Sequence, residues 1–399
     1  MENNIKSIIS EFEKFIDFIG TQRPVLSAKL AVLGKKDCFK MNLLLNDKKE
    51  VNGSNYNQDQ YPVIDLMFEL ALVGKLYVKA NNEEGKLNLL KTPNLESYKS
   101  LNEYEKYVFL LQIYWTKYSF EEKFGRWIDI SAFYNIFVAI ADATVGQIIV
   151  KDEQSSSYKL YSEGAAFFHH LRFFGFGELE LVDGAKGKYE DTIKMFTPND
   201  FGIETSTFLL MKALLYWNRA DLKFLLSEAK RKTLPQKKEN PFEVFKNIFL
   251  DAIVIKTVEV ANEAGRSGVY NFKVTLSKTV WRKISLSHKH TLKDLHTVIQ
   301  EAFRFDNDHL YEFYIGGNQK TGKPICCEDA QSEGVTAEET KIADLELYKG
   351  QKILYLFDFG DQWRFDIELI GIDKEVPLLL KPMITETKGK APEQYGGEW

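Results

Sequence analysis

Cysteine is scarce. Cys38, Cys326 and Cys327 are the only three in 399 residues. So few thiols cannot make a disulfide framework, and the expected setting is reducing and cytoplasmic. Long hydrophobic runs are also missing. No stretch approaches the ~18 uninterrupted apolar residues of a membrane span, so no membrane association is expected. The start, Met1-Glu2-Asn3-Asn4-Ile5, lacks the basic head and apolar run of a secretion signal. Nor does one sign of charge dominate, with 52 Lys and Arg against 57 Asp and Glu. From residue 266 onward there are 18 basic and 21 acidic side chains; before it there are 34 and 36. That balance excludes a chain coated for nucleic acid along its whole length. Apolar residues at 44 % and charged residues at 27 % fit an ordinary globular protein.

What is present is sharpest past residue 266. Tyr270, Phe272, Val274 and Leu276 alternate with Asn271, Lys273 and Thr275. Period two marks a half-buried strand. Residues 281 to 286 read as its hairpin partner. The period then lengthens: Leu292, Leu295, Ile299, Ala302 and Phe303 recur at helical spacing, with Thr291 as N-cap and Asp294 three residues on. Strands are predicted at 310–315, 352–357 and 362–370, and a polar loop at 316–349. Asp358-Phe359-Gly360-Asp361 forms a tight turn, with Gly360 expected at positive φ. The order β-β-α-β-β-β predicts an α+β fold, one main helix across a β-grasp-like antiparallel sheet.

The same residues carry a resemblance. Tyr270-x-Phe272-x-Val274-x-Leu276, Trp281-Arg282, Thr291-Leu292-x-Asp294-Leu295-His296, Ala302-Phe303, Asp308-His309-Leu310-Tyr311-x-Phe313 and Asp358-Phe359-Gly360-Asp361-x-Trp363 follow in order. Together they resemble the plasmid pRiA4b ORF-3-like domain family over the last third of the chain. The resemblance implies no established activity. By analogy it suggests a mobile-element or defence context. A resolvase label attached to some members is discounted, because no serine nucleophile with an arginine cluster is present. Members often place His where this chain has Phe365, and end in Cys-Pro-Pro-Glu-Asp-x-Gly-Gly where this chain has Lys390-Ala391-Pro392-Glu393-Gln394-Tyr395-Gly396-Gly397. Three ligand or acid-base groups are thereby replaced, and no metal, cofactor or catalytic residue is expected.

Upstream, helical spacing predicts helices at 5–19, 26–33, 62–73, 101–119, one or two within 120–149, and others at 162–174, 205–217, 220–230 and 241–260. Gly74-x-Leu76-x-Val78, Gly85-Lys86 and Thr92-Pro93-Asn94 are echoed by Gly177-x-Leu179-x-Leu181, Gly187-Lys188 and Thr197-Pro198-Asn199. Each copy follows an apolar helix, which resembles tandem winged-helix units. Residues 230–240 are basic and polar, the best linker. The expected domains are residues 1–100 and 101–229 as two winged-helix-like units, 230–265 as linker and connecting helix, and 266–399 as the α+β domain.

Several constellations could carry function. His309, Asp358, Asp361, Trp363, Glu393 and Tyr395 could meet at one end of the sheet as an acidic, aromatic pocket. His288, His290, His296 and His309 fall within 22 residues, but a metal would need Asp306 or Cys326 as well; His296, beside the helix's apolar stripe, reads as a hydrogen-bonded core residue. Cys326-Cys327 reads as two exposed loop thiols. Residues 317–324 nearly spell a phosphate loop but end in Pro324, where a hydroxyl must hold Mg²⁺. No kinase strand or His-Arg-Asp loop accompanies Asp358-Phe359-Gly360. Lys75, Lys79, Lys86 and Lys91, with Lys186 and Lys188, could touch phosphate, while Asp65 and Glu69 on the first helix favour protein docking. The leading expectation is a non-enzymatic adaptor docking a protein partner. DNA binding by the winged-helix-like units, and an enzyme using the acidic pocket, are the alternatives.

Overall fold

The computed structural model describes residues 2–124, 130–150, 164–182, 193–218, 240–249, 253–260, 267–319, 323–330 and 335–395. The chain divides into two compact units, Met1–Val260 and Ala261–Trp399. The predicted helix at 220–230, most of the basic linker, and Lys186 and Lys188 lie outside the described residues.

The first unit is mainly helical. It opens with α1 (Glu2–Gln22) and α2 (Lys35–Leu44). The helix predicted at 26–33 is instead a turn: Leu26 N–H donates to Leu87 O, Val25 bridges Asn88, and Ala31 takes φ 54°. Pro24 precedes it, and Leu26 and Leu33 are buried by tertiary contact; their spacing mimics a helical stripe. Then come α3 (Pro62–Val73), the hairpin β1 (Tyr77–Asn81) and β2 (Leu87–Lys91), α4 (Pro93–Lys99) and α5 (Glu103–Thr116). After α6 (Phe120–Phe124) and α7 (Ile130–Ala141), the pattern returns: α8 (Ala165–Phe173), β4 (Gly177–Leu181) and β5 (Ile193–Pro198), with β3 (Ile149–Val150) added beside β5.

The two copies share their backbone bonding. Leu76 N–H donates to Ala71 O, and Phe176 N–H to Leu171 O; Thr92 N–H donates to Leu76 O, and Asn199 N–H to Phe176 O. The bonds correct the equivalence read from the two Thr-Pro-Asn segments. Thr92 caps α4, but in the second copy Asn199 caps α9 (Asp200–Phe208), while Thr197 and Pro198 are still in strand. The predicted helix 205–217 therefore starts earlier, and it passes through a π turn (Leu209–Ala213) to end in a 3-10 turn (Leu214–Tyr216). The predicted helix 241–260 is only α10 (Pro241–Phe245) and a single 3-10 turn, followed by chain without helix or strand at 253–260. Glu105 holds that segment. Its carboxylate is buried and accepts from Ile255 N (3.1 Å) and Lys256 N (3.0 Å), capturing the segment against the start of α5.

The second unit has the predicted α+β class. Its seven strands, all paired antiparallel, run in the order β12-β7-β6-β11-β10-β8-β9. They are β6 (Val269–Ser277), β7 (Val280–Ser287), β8 (Tyr311–Ile315), β9 (Lys323–Cys326), β10 (Lys352–Phe357), β11 (Trp363–Asp373) and β12 (Met383–Lys388). One helix, α11 (Leu292–Phe303), carries the Thr291–Asp294 capping box and buries Leu292, Leu295, Val298, Ile299 and Phe303 against the inward residues Phe272, Val274, Ile284, Phe365 and Ile367. Trp281, Lys273 and Lys283 face the other way. Two strands escaped prediction, β9 inside the supposed loop and β12 at the edge.

Arg282 lies on the inner side. It is buried, and its Nε donates to Ala302 O at 2.8 Å, at the end of α11. Nη1 reaches Trp281 O, Lys388 O and Gly389 O, and the guanidinium stands 4.5 Å over the Phe303 ring. A cation at a helix C-terminus is favoured by the backbone dipoles. It joins helix, β7 and β12.

Candidate functional site

The β10–β11 turn, the α11–β8 loop and the segment 393–395 meet at one end of the sheet. Asp358 leaves β10 at φ 56°, and Gln362 enters β11 at φ 54°. Gly360, expected at positive φ, does not have it; the left-handed positions are the residues at either end of the turn. Asp358 tolerates its conformation because its own carboxylate closes the turn. Oδ1 accepts from Gly360 N (2.8 Å) and Asp361 N (3.3 Å), and its backbone N–H donates to Leu310 O.

Oδ2 of the same carboxylate faces His309, 3.4 Å from Nε2, and Asp308 Oδ1 is 3.7 Å from that nitrogen. Tyr395 donates its hydroxyl to both oxygens of Asp308, at 2.8 and 2.6 Å. This bond holds the Asp308 carboxyl below the usual range and pushes the Tyr395 phenol up to about 12. Gln394 is buried and anchors the segment: Oε1 accepts from Asp306 N, while Nε2 donates to Asp306 O and Asp308 Oδ1. Trp363 is buried against Phe305, ring centroids 4.6 Å apart. Asp361 and Glu393 are exposed at the rim.

The predicted group is thus gathered around two connected loops, with Trp363 as floor and Asp361 and Glu393 as rim. Asp308, Leu310, Phe359 and Gln394 belong to it and were not predicted as site residues. Leu310 and Phe359 are exposed apolar side chains beside the carboxylates. Asp308 sat in the Asp308-His309 motif, which was a signal; Gln394 had none, since its value lies in bonds to a distant loop. Chemically, His309 and Asp358 form an acid-base pair, but one oxygen of Asp358 already fixes the turn. The geometry suits recognition of a cation or a hydrogen-bonding group.

Behind the site runs a buried chain. Gln300 Nε2 donates to Tyr355 OH (2.7 Å), which meets His296 Nδ1 (2.6 Å). His296 Nε2 meets Asn307 Oδ1 at 2.6 Å. An amide oxygen only accepts, so Nε2 carries the proton and Nδ1 accepts from the phenol. Burial pushes the His296 pKa down to about 4. His296 is the core residue its position predicted, stacked on Tyr311 at 3.7 Å. His288 and His290 act locally: their Nδ1 atoms accept from Gly268 N and Ser287 N. Among the described residues, no group of three or more His, Cys, Asp or Glu could hold a metal ion.

The cysteines differ from expectation. Cys326 is on β9 with Sγ 3.2 Å from Glu312 Oε1, and Cys327 is buried in the core. They are not a pair of exposed loop thiols, because alternation along the strand sends them to opposite faces. Pro324 pairs with Tyr314 on β8.

In the first unit, Asp65 and Glu69 both hold Lys123, at 2.9 and 2.8 Å. Burial opposes the Lys123 charge, yet the two carboxylates keep its pKa above the ordinary value. The acidic helix face is therefore satisfied within the chain. On the first hairpin, Lys79 lies 5.3 Å over the Phe68 ring of α3, Lys86 pairs with Glu84 at 2.7 Å, Lys75 has φ 54°, and Lys91 is exposed. On α8, His169 and His170 are buried and Arg172 pairs with Asp47 at 3.0 Å. No described helix is long and apolar enough to cross a membrane.

Comparison with known proteins bears on the second unit. The family model described as plasmid pRiA4b ORF-3-like protein matches residues 268–399. The chain is 31 % identical over 140 residues to "Uncharacterized protein y4hQ" of Sinorhizobium fredii, covering 33 % of this chain and 69 % of the relative. It also matches the "Crystal Structure of Protein of Unknown Function MM3350 from Methanosarcina mazei Go1", at 29 % identity and TM-score 0.27, covering 32 % of this chain and 74 % of that one.

Proposed function

Since the chain belongs to the plasmid pRiA4b ORF-3-like family, we propose that its second unit is a non-enzymatic docking module, and the whole chain an adaptor or regulator. The context is the one the resemblance suggested, a mobile element or a defence system. The carrying observation is the sheet end: exposed Leu310, Phe359 and Tyr395 sit among Asp308, Asp361 and Glu393 on loops held rigid by Asp358 and Gln394. Such a patch fits a partner segment that offers a cation flanked by apolar side chains. His309 and Asp358 orient it. The four-part division of the chain, with two winged-helix-like units ahead of this module, belongs to the same proposal.

The test is affinity capture with the full chain, followed by reconstitution of the complex from purified components. Phe359→Ala combined with Tyr395→Ala should weaken the reconstituted complex at least tenfold, as loss of central aromatic contacts does. A chain that captures nothing, or a complex that ignores both changes, overturns the reading.

A second reading, DNA binding by the winged-helix-like units, is supported by exposed Lys86 and Lys91 on the first hairpin. Lys75, Lys79, Lys186 and Lys188 complete that proposal. A shift assay at low salt decides it: no retarded duplex there excludes it, because phosphate contacts are strongest at low salt.

A further inference from the structure

The outer face of the sheet, opposite α11, carries a group that the docking proposal does not use. Trp281 is half-exposed on β7. Three ammonium groups from three adjacent strands surround its ring: Lys273 Nζ at 5.0 Å, Lys283 Nζ at 5.7 Å and Lys388 Nζ at 5.9 Å from the centroid. The ladder register puts them there, with Lys388 opposite Trp281, and Lys273 opposite Lys283 on the next rung. Like charges directly opposite across a ladder are unfavourable. Three carboxylates border the group: Glu386 pairs with Lys283 at 2.6 Å, Glu368 on β11 stands opposite Lys273, and Asp366, also on β11, stands opposite Thr275, the rung partner of Trp281. Lys278, at the tip of the hairpin, and Lys390, just past β12, add further cations.

The sequence accentuates this. Between Glu263 and Asp294 there is no carboxylate side chain, while Arg266, Lys273, Lys278, Arg282, Lys283, Lys289 and Lys293 fall in that stretch. The whole chain is net acidic at −5, so the hairpin is a local reversal of sign.

We propose that this face binds single-stranded nucleic acid, the Trp281 indole stacking one base and Lys273, Lys283 and Lys388 taking the flanking phosphates. A flat aromatic ring inside a ring of cations has the chemistry such strands require, and it demands no particular base. Strand β12, exposed throughout, and the half-exposed Trp281, Lys273 and Lys283 beside it leave room for a nucleotide and its flanking phosphates. The site is separate from the sheet end and from the helix-and-hairpin repeats, so it goes beyond the functions proposed above.

The experiment uses the full chain and a fluorescein-labelled oligo(dT) of about 12 nucleotides, followed by anisotropy across a salt series. Binding at low salt is expected. Trp281→Ala should weaken it about tenfold, and Trp281→Phe should retain most of it. Lys273→Gln with Lys388→Gln should lower the slope of log affinity against log salt by about 0.7 per lysine removed. Lys86→Gln with Lys91→Gln should leave it unchanged. If Trp281→Ala fails to fold, the lysine pair and Trp281→Phe still decide. No binding at low salt overturns the proposal. So does affinity lost only with Lys86→Gln and Lys91→Gln, or a polyglutamate competitor as effective as unlabelled oligonucleotide, which would make the ligand an acidic peptide.

Discussion

Burial keeps the His296 imidazole neutral, and this has a measurable cost in acid. An exposed imidazole titrates near 6.5, and the folded one near 4. Between those values the unfolded chain binds the extra proton, so stability is full above the upper value and falls as the pH drops through the window. The size is about 3 kcal/mol for a shift of that extent. His170, buried in the first unit, is also lowered well below its ordinary value, burial again being the largest cause. It acts in the same direction. Denaturant midpoints measured from neutral pH to pH 4 should fall, and His296→Phe should remove part of the slope. A profile unchanged by that substitution would show that His296 is not the titrating group. Arg282→Met should lower the unfolding free energy by about 3 kcal/mol, since it strands buried carbonyls of α11 and β12; guanidinium chloride titration reads it. The role of Arg282 could not be read in advance. A Trp-Arg pair is plain in the sequence, but which carbonyls turn toward the guanidinium is a property of the assembled sheet.

The elements that follow period two or 3.6 were legible: β6, β7, β8, β10, β11 and α11 lie close to where alternation and the Thr291 cap put them. Those that do not were missed, for identifiable reasons. Strand β12 is exposed throughout, so no core face imposes alternation on Met383–Lys388. Strand β9 is four residues with a proline, acceptable because β9 is an edge. Leu26 and the segment 253–260 are positioned by distant partners, Leu87 and Glu105. Of the sheet-end cluster, the turn and His309 were legible as motif residues; the Gln394 anchor was not. Two consequences follow for these elements. Glu105→Ala should speed amide exchange at Ile255 and Lys256 and destabilise the first unit by about 2 kcal/mol, because buried N–H groups lose their acceptor. Unaltered exchange there would contradict the clamp. Gly202 in α9 sits against the Phe176 backbone, where a Cβ would overlap the carbonyl. Gly202→Ala should cost at least about 2 kcal/mol, as overpacking against backbone does, seen as a lowered Tm.

For the molecule as a whole, charge is nearly balanced in sum but uneven in place. The isoelectric point near 5.9 predicts lowest solubility near that pH, which light scattering across a pH series would register. That point falls inside the window where His296 begins to charge in the unfolded chain, so aggregation and destabilisation should set in together on acidification. An acid-free hairpin within an acidic chain also means that added salt should affect ligand binding at the sheet face far more than it affects folding.

The two buried cations of the sheet domain, one potential and one permanent, give acid unfolding a direction. A guanidinium does not release its proton under any condition the chain would survive, so the hydrogen bonds by which Arg282 joins β7, β12 and the end of α11 do not depend on a titration in acid. Those of the imidazole wedged between α11, β8 and β10 do. Lowering the pH should therefore pry the domain open from the β8 flank first, with the β12 flank the last to let go.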